Sequence, residues 1–556
     1  MTVGDGRYEF AAQDRHRYVR DVLTSSSQKK IVVAGPGTGK SFLFRKILEG
    51  KADTLTLTFV NALVEDLSLD LFGLSEVKTL HAFARQQLVR ITRRPVQIFP
   101  KLSAVIRQDA LALLGKAVDF DLLFHNKVDE DENINFYRKR RGYYGHYGFS
   151  DIIYAAVRAF EINPEIIPTY IQVLVDEFQD FNALEVALID LLALKSPVLL
   201  VGDDDQALYE TLKSASTRHI RDRHTNAASE YQPFSLPYCS RCTRVIVEAT
   251  NDIIRGAAKE CYLRGRIEKP FRYFDDREKD LESERYPSLI YRQMFAKQIP
   301  WFIQKCIEEI AKEVREIFSV LVISPTRIQC KTISEALRGK GFVNLHFMEK
   351  QENPEPTLLE GLSLLLEDDT SNLGWCVTAR ALLPKADFEP LLRETASEDN
   401  PPAFPEIIPS GLRKEVRASL RVLRAASKRE RGNDEATSKL LKQLGVDPAE
   451  KTVEFLCDQL PLSIQTSVDF GIRKMPITVT TIPGSKGLSA DYVFITHFDD
   501  VYFIKSKDKS IVSDQDICNF LVALTRAKRE IFLISSDKAK VPKFLRWIDS
   551  ARVSTA

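Results

Sequence analysis

The sequence predicts an α/β protein built on parallel sheets. Three observations carry that prediction. Apolar, β-branched runs recur along the chain, at residues 31–33, 171–175 and 198–201. Near-continuous runs of this kind, the second interrupted at Gln172, mark strands buried on both faces, as parallel sheets require. Each run ends in a polar turn, and the first continues into a helical stretch at 42–48. The chain has 556 residues, 44% of them hydrophobic, enough for about three to four domains with sizeable cores.

Residues 31–41 read IVVAGPGTGKS. Gly35, Gly37 and Gly39 let the loop curl so that its N–H groups point inward at an anion. Ala34, Pro36 and Thr38 complete the loop; the strict pattern has glycine at 34, and alanine is a relaxed form. The helix that follows turns its N-terminus to the same anion. Lys40 supplies a point charge for the β and γ phosphates of a nucleoside triphosphate, and the Ser41 hydroxyl a ligand for magnesium. A chance glycine-rich turn is the alternative. The strand before, the helix after and the intact GKS speak against it.

Residues 173–180 read VLVDEFQD. Asp176 sits where an apolar strand ends, the side on which open α/β sheets place ligands. It is the predicted magnesium ligand, and Glu177 the carboxylate that polarises an attacking water. An acidic surface turn is the competing reading, weakened by the buried strand directly before it.

Further signals flank these two. Gln13, about twenty residues before the loop, carries an amide able to read an adenine edge. Residues 55–67 and 77–84 each look like a strand running into a polar turn and helix. Phe59, Asn61, Thr79 and His81 lie at those ends, and core or capping use is the plain alternative for each. Residues 198–209 (VLLVGDDDQALY) end another buried strand and place Gln206 to touch a γ-phosphate, with Tyr209 just beyond. Arg241 lies in FSLPYCSRC. Gly487 lies in SKGL, within residues 477–495. Arg526 lies in a TRAK sequence between an apolar helix and an apolar strand.

Taken in order, AGPGTGKS, TLHAFA, VDEFQD, VGDDDQ, the segment with Arg241, SKGL and VALTRAK resemble the UvrD/PcrA/Rep branch of superfamily 1 DNA helicases. The resemblance implies two RecA-like parallel-sheet motor domains, each with a mainly helical insertion. The first lobe is expected at 1–90 and 165–235, its insertion at 91–164. The second lobe is expected at 236–350 and 474–548, its insertion at 351–473, and the residues after Arg526 are too few for a further domain. The resemblance further implies ATP and Mg2+ as cofactors. Lys40, Glu177, Gln206, Arg241 and Arg526 become catalytic residues, the two arginines reaching ATP from the second lobe. Gln13, residues 34–41, Arg241, Gly487 and Arg526 become ATP-binding. Phe59, Asn61, Thr79, His81 and Tyr209 become contacts to single-stranded or tailed duplex DNA.

The chain also departs from that family. Tyr209 is followed by Glu-Thr-Leu, so a base-stacking aromatic would fall at Thr211. Cys239-Ser240-Arg241 stands where the family has Asn-Tyr-Arg, and Pro483 and Ser489 stand for its His and Glu. The ATPase residues are kept while DNA-coupling positions are altered. Two alternatives therefore stand beside the 3′–5′ DNA helicase or translocase. One is a regulatory nucleic-acid-sensing ATPase subunit of a multi-protein complex, for example with a nuclease as in bacterial anti-phage defence. The other is an RNA helicase.

Net charge is +1, so a nucleic-acid site must be local. Residues 136–149 read FYRKRRGYYGHYGF, and Arg138, Lys139, Arg140 and Arg141 between aromatics suit phosphates and bases. A solvated loop, or pairing with the acidic run 129–132, is the alternative. A second basic stretch, residues 412–431, has the period of an amphipathic helix, with Arg413, Arg417, Arg421, Arg424 and Lys428 on one face. Of eight cysteines only Cys239 and Cys242 have CxxC spacing, which reads as reduced structural thiols. The first residues lack the apolar core of a signal peptide, and no run reaches the ~20 apolar residues of a spanning helix, so a cytoplasmic protein without a membrane partner is expected.

Overall fold

The computed structural model describes residues 5–58, 61–129, 131–208, 214–314, 316–347, 355–396, 400–427, 475–537 and 540–555. The chain parts into two compact units. One comprises Met1–Phe83, Ala159–Lys350 and Asp469–Ala556, the other Ala84–Arg158 and Gln351–Val468. The second unit overlaps the two expected insertions, 91–164 and 351–473, but begins at Ala84 and leaves residues 159–164 and 469–473 to the first.

The first unit holds two parallel sheets. Strands β1 (Lys29–Ala34), β2 (Thr54–Thr58), β3 (Glu76–Thr79), β4 (Gln172–Val175), β5 (Val198–Gly202) and β6 (Gln232–Leu236) form the first, in the order β3-β2-β4-β5-β1-β6. β1 is hydrogen-bonded in parallel to both β5 and β6, with Val32 opposite Val201 and Phe234. Its central strands are deeply buried: every residue of β4 and β5 is buried, Gln172 included. The edge strand β3 (EVKT) is polar and partly exposed, which discourages pairing with another chain.

A small two-stranded sheet follows, of β7 (Tyr238–Cys239) and β8 (Arg272–Tyr273). The second large sheet contains β9 (Leu289–Gln293), β10 (Val320–Ser324), β11 (Leu345–Phe347), β12 (Ile477–Thr481), β13 (Ala490–Ile495), β14 (Ala527–Ser535) and β15 (Val553–Ser554), ordered β11-β12-β10-β13-β14-β9-β15. Alternate residues feed different cores. Leu321, Ile323, Val493 and Ile495 pack on one face, and Val320, Val322, Tyr492 and Phe494 on the other. β15 carries this sheet past the expected limit at 548.

The second unit is helical among its described residues. Its helices include Leu102–Leu114, Glu132–Tyr144, Leu358–Glu367, Asn372–Leu382, Lys385–Glu394 and Ser410–Ser427. Trp375 and Tyr137 are among its fully buried side chains. Among the described residues no helix is long and apolar enough to cross a membrane.

Candidate nucleotide site between two parallel sheets

β1 ends at Ala34 and the chain turns through residues 35–39 into the helix Lys40–Leu48. Gly37 and Gly39 hold φ of 68° and 94°, a left-handed backbone that costs glycine little. Gly37 is also required by space: a Cβ there would meet the Arg241 Cβ at 2.4 Å. The neighbouring segment is stitched to the loop, since Ser240 N donates to the Gly37 carbonyl at 3.0 Å. Arg241 therefore arrives at the phosphate loop through the backbone beside it.

A cavity of about 540 Å3 opens here. Residues 36–41, Asp176, Glu177, Gln206, Arg241, Lys486, Gly487 and Arg526 line it. That lining brings together loops following β1, β4 and β5 with residues of the second sheet's part of the unit. Ala34 and Gly35 lie behind the loop, outside this lining.

The charges inside are cross-paired. Lys40 Nζ donates to Glu177 Oε1 at 2.7 Å and lies 4.0 Å from Asp176 Oδ1. Burial opposes the charge on Lys40, but Glu177 and Asp176 outweigh it and hold its pKa above the ordinary value. Burial likewise opposes the Glu177 carboxylate, and Lys40 and Lys486 overcome that and keep it well below the usual carboxylate range. Glu177 stands at φ 55°, a left-handed conformation for a residue with a Cβ, which marks stored backbone strain at this position. Asp176 differs. Burial pushes its carboxyl up against the pull of Lys40, and its Oδ1 is buried without a hydrogen-bond partner among the described residues. An orphaned carboxylate oxygen beside a hydroxyl such as Ser41 suits a hard divalent cation.

A chain of side-chain contacts runs from Glu177 to the second sheet's part. Gln179 Nε2 donates to Glu177 Oε2 at 2.7 Å, and Asp203 N donates to Gln179 Oε1 at 2.9 Å. Gln206 Nε2 donates to Asp203 Oδ2 at 2.7 Å, and Arg526 Nη2 donates to Gln206 Oε1 at 3.0 Å. Arg526 is buried, and burial followed by repulsion from Arg241 lowers its pKa to about 10. Its Nε and Nη1 donate to the carbonyls of Val522 and Leu488, so the guanidinium is pre-aimed.

Sequence reasoning missed one residue here. Lys486 reaches Glu177 Oε2 at 3.2 Å and also contacts Asp180, and burial lowers its pKa to about 8. The signal was present in SKGL, beside Gly487. The adjacent carboxylates Asp203, Asp204 and Asp205 converge but leave no room for a metal. Lys269 Nζ sits among them at 2.8, 2.6 and 2.9 Å, and Arg266 and Arg221 pair with two of them.

The chain is similar in sequence to known helicases. Residues 125–225 match the model of the UvrD/REP helicase N-terminal domain. The chain is 25% identical over 439 residues to the ATP-dependent DNA helicase PcrA of Staphylococcus aureus, covering 69% of this chain and 58% of that protein. It is 22% identical over 475 residues to a probable DNA helicase II homolog of Mycoplasma capricolum, covering 72% and 62%. The chain is UvrD/PcrA-like. It spans about 58 to 62% of the length of these relatives.

The residues of this UvrD/PcrA-like chain expected at nucleic acid lie in different surroundings, and among them the basic run departs from the expectation. Phe59 and Tyr209 lie outside the described residues, as does Thr211. Asn61 opens the helix Asn61–Asp70. Thr79 is buried and accepts from the Ala82 N–H at 3.2 Å, a helix-capping use, and His81 beside it is half-buried. The basic run 138–141 is helical and its four cations do not share a surface. Arg138 and Lys139 are exposed, Arg141 is half-buried against Asp151 at 2.8 Å, and Arg140 is buried. Arg140 Nε donates to Asp109 Oδ2 at 2.8 Å, Nη2 to the Tyr144 hydroxyl, and Nη1 to Thr395. Of the acidic run, Asp129 pairs with Arg158 and Asp131 caps the helix, while Glu130 lies outside the described residues.

In the second basic helix, Arg413 donates to the carbonyls of Glu406 and Ile408, and Arg424 to those of Leu365 and Leu366. Arg417 and Arg421 remain exposed. Lys428 lies outside the described residues. Gln13 is exposed and makes no hydrogen bond to a described residue.

Proposed function

We propose that the chain is an ATP-driven motor on DNA, a helicase or translocase of UvrD type moving 3′ to 5′ on single-stranded or tailed duplex DNA. The observation that carries the reading is the cleft: Lys40 on Glu177 from one sheet, and Arg526 on Gln206 from the other. In this reading Lys40 exchanges Glu177 for the β and γ phosphates of ATP. The released carboxylate then orients the attacking water and takes its proton. Arg241 and Arg526 meet the γ-phosphate, and Arg526 carries its loss to Gln206. The orphaned Asp176 oxygen and the Ser41 hydroxyl fit Mg2+, which when bound would shield phosphate charge. A protein partner such as a nuclease, and a cytoplasmic setting, belong to the same proposal.

The test is an ATPase assay with and without single-stranded DNA, joined to strand displacement on tailed DNA and RNA duplexes of both polarities. DNA should stimulate turnover, with the effect fading as salt rises. Arg526→Ala should cut kcat about a thousandfold and change ATP affinity far less, because a finger acts on transition-state charge. Loss of affinity with kcat intact would remove the finger. One observation favours a second reading, the nucleic-acid-sensing ATPase subunit: only Arg138 and Lys139 of the basic run are exposed. Turnover already maximal without nucleic acid would select it. Displacement of RNA but not DNA would select an RNA helicase.

A further inference from the structure

The helix Asp5–Thr24 packs on the first sheet through a stripe at Ala11, Val19 and Val22, all buried. Arg15 falls on that stripe, four residues after Ala11 and four before Val19. Gln13, two residues earlier, is exposed. The helical phase therefore points Arg15 inward at the place where the sequence suggested Gln13.

Arg15 is aimed by its surroundings. Its guanidinium lies 4.7 Å from the centroid of the Phe274 ring, within cation–π range. A Cβ built on Gly39 would lie 3.2 Å from Arg15 Nη2, so the cation rests against the last glycine of the phosphate loop. The carboxylate next to it in sequence is engaged elsewhere. Asp14 accepts from the Tyr238 hydroxyl at 2.7 Å and pairs with Arg17 at 2.7 Å. Among the described residues no carboxylate pairs with Arg15. Burial depresses its pKa, opposed only by the Cys239 thiol. A half-buried cation without a counter-charge is costly, and it sits at the N-terminus of the helix Lys40–Leu48, where the partial charge is also positive. An anion between them would relieve both.

We infer that Arg15 is a further nucleotide-binding residue, stacked on Phe274 and pairing with an α- or β-phosphate oxygen of the bound nucleotide. This rests on the ATP site proposed above. Arg15 then differs in kind from Arg241 and Arg526, which belong to the γ-phosphate. Its loss should weaken ATP and ADP alike, whereas loss of a γ-phosphate finger should spare ADP.

The experiment measures ATP and ADP dissociation constants by calorimetry on the full chain, for wild type, Arg15→Met, Arg15→Lys and Lys40→Ala. Charge-assisted hydrogen bonds of this class set the scale: Arg15→Met should weaken both nucleotides about tenfold to a hundredfold. Arg15→Lys should recover part of that loss. A second readout needs no variant. Phenylglyoxal modification of Arg15 in the wild-type protein, mapped by mass spectrometry, should be suppressed by ADP. Binding within twofold of wild type in Arg15→Met, or labelling indifferent to ADP, overturns the inference. A lower melting temperature with nucleotide affinity unchanged overturns it too, and makes Arg15 a packing residue. If Lys40→Ala loses ATP while Arg15→Met keeps it, only this inference falls. If the wild type binds no ATP, the proposed function falls with it.

Discussion

Two buried charge clusters in this molecule invite comparison, Lys40 with Asp176 and Glu177 in the first unit and Arg140 with Asp109 and Arg380 in the second. Both pair a cation with a carboxylate at hydrogen-bond distance: 2.7 Å for Lys40 to Glu177 and 2.8 Å for Arg140 to Asp109. They differ in what is left over. Around Asp109 the partners close on one another. Its Oδ1 takes Arg380 at 2.6 Å, its Oδ2 takes Arg140 and the Tyr144 hydroxyl, and the second end of Arg140 is spent on Thr395. Around Asp176 one oxygen is orphaned, the backbone at Glu177 is strained, and a cavity of about 540 Å3 lies alongside. A closed network has nothing to offer a ligand, and its charges hold helices together. An open one keeps unsatisfied groups facing space that a ligand can fill. Buried charge alone does not separate the two; the leftover valence does.

The largest expected effect tests the open cluster. Glu177→Gln keeps the shape and removes the carboxylate that would take the proton from water. ATP turnover should fall about a thousandfold or more while ATP still binds. The folded state should lose stability as well, because Lys40 and Lys486 each lose a carboxylate partner. Near wild-type turnover would break the assignment of this cluster as the open one.

Asp109→Ala tests the closed cluster. It strands the Arg140 and Arg380 guanidiniums without their shared carboxylate, a change that costs about 3–5 kcal/mol when an ion pair is buried. Denaturant unfolding should show that loss, with the ATP affinity of the other unit unchanged. A loss below about 1 kcal/mol would mean that the network is less closed than its hydrogen bonds indicate.

The exposed remainder of the basic run should act weakly. Neutralising Arg138 and Lys139 together should lower single-stranded DNA affinity several-fold and reduce the salt slope by about one to two, if both touch phosphates. An unchanged slope would assign them to solvent.

The smallest effect concerns a half-buried carboxyl without a hydrogen-bond or ion-pair partner among the described residues. Glu530 in β14 is pushed up to about 7 by burial, with the charge of Glu313 adding to it. Its folded pKa lies above the unfolded value, so the neutral form is favoured on folding. Its share of stability is complete at low pH and is lost as pH rises from about 4 to about 7. Glu530→Gln should therefore stabilise the protein above pH 7 by about 1 kcal/mol and make no difference near pH 4. Thermal melting across that range reads the effect, and a pH-independent gain would contradict it.

Lys40, Asp176 and Glu177 were legible in the sequence because their placement is local. A β-branched run, a turn and a helix put GKS and DE at strand ends whatever the rest of the chain does. Arg526 and Gln206 were legible as members of ordered motifs, though the hydrogen bond between them spans 320 positions of sequence. The basic run 138–141 was misread for a physical reason. Four adjacent cations on a helix point in four directions, and which of them is buried depends on Asp109, Thr395 and Arg380, 31 to 271 residues distant from their partners. Asp131, in the acidic run, is used as the cap of that helix.

By itself, then, the sequence determined the parallel α/β class, the phosphate loop, the carboxylates after β4 and the kind of chemistry they suit, because backbone preferences and burial pattern act over a few residues. Tertiary structure decided which charges face a cavity and which face each other. It turned Gln13 to solvent and Arg15 to the loop, buried Arg140, and set Lys486 against Glu177. Those outcomes rest on desolvation and on partners brought together by folding, and neither is written in any short stretch of the chain.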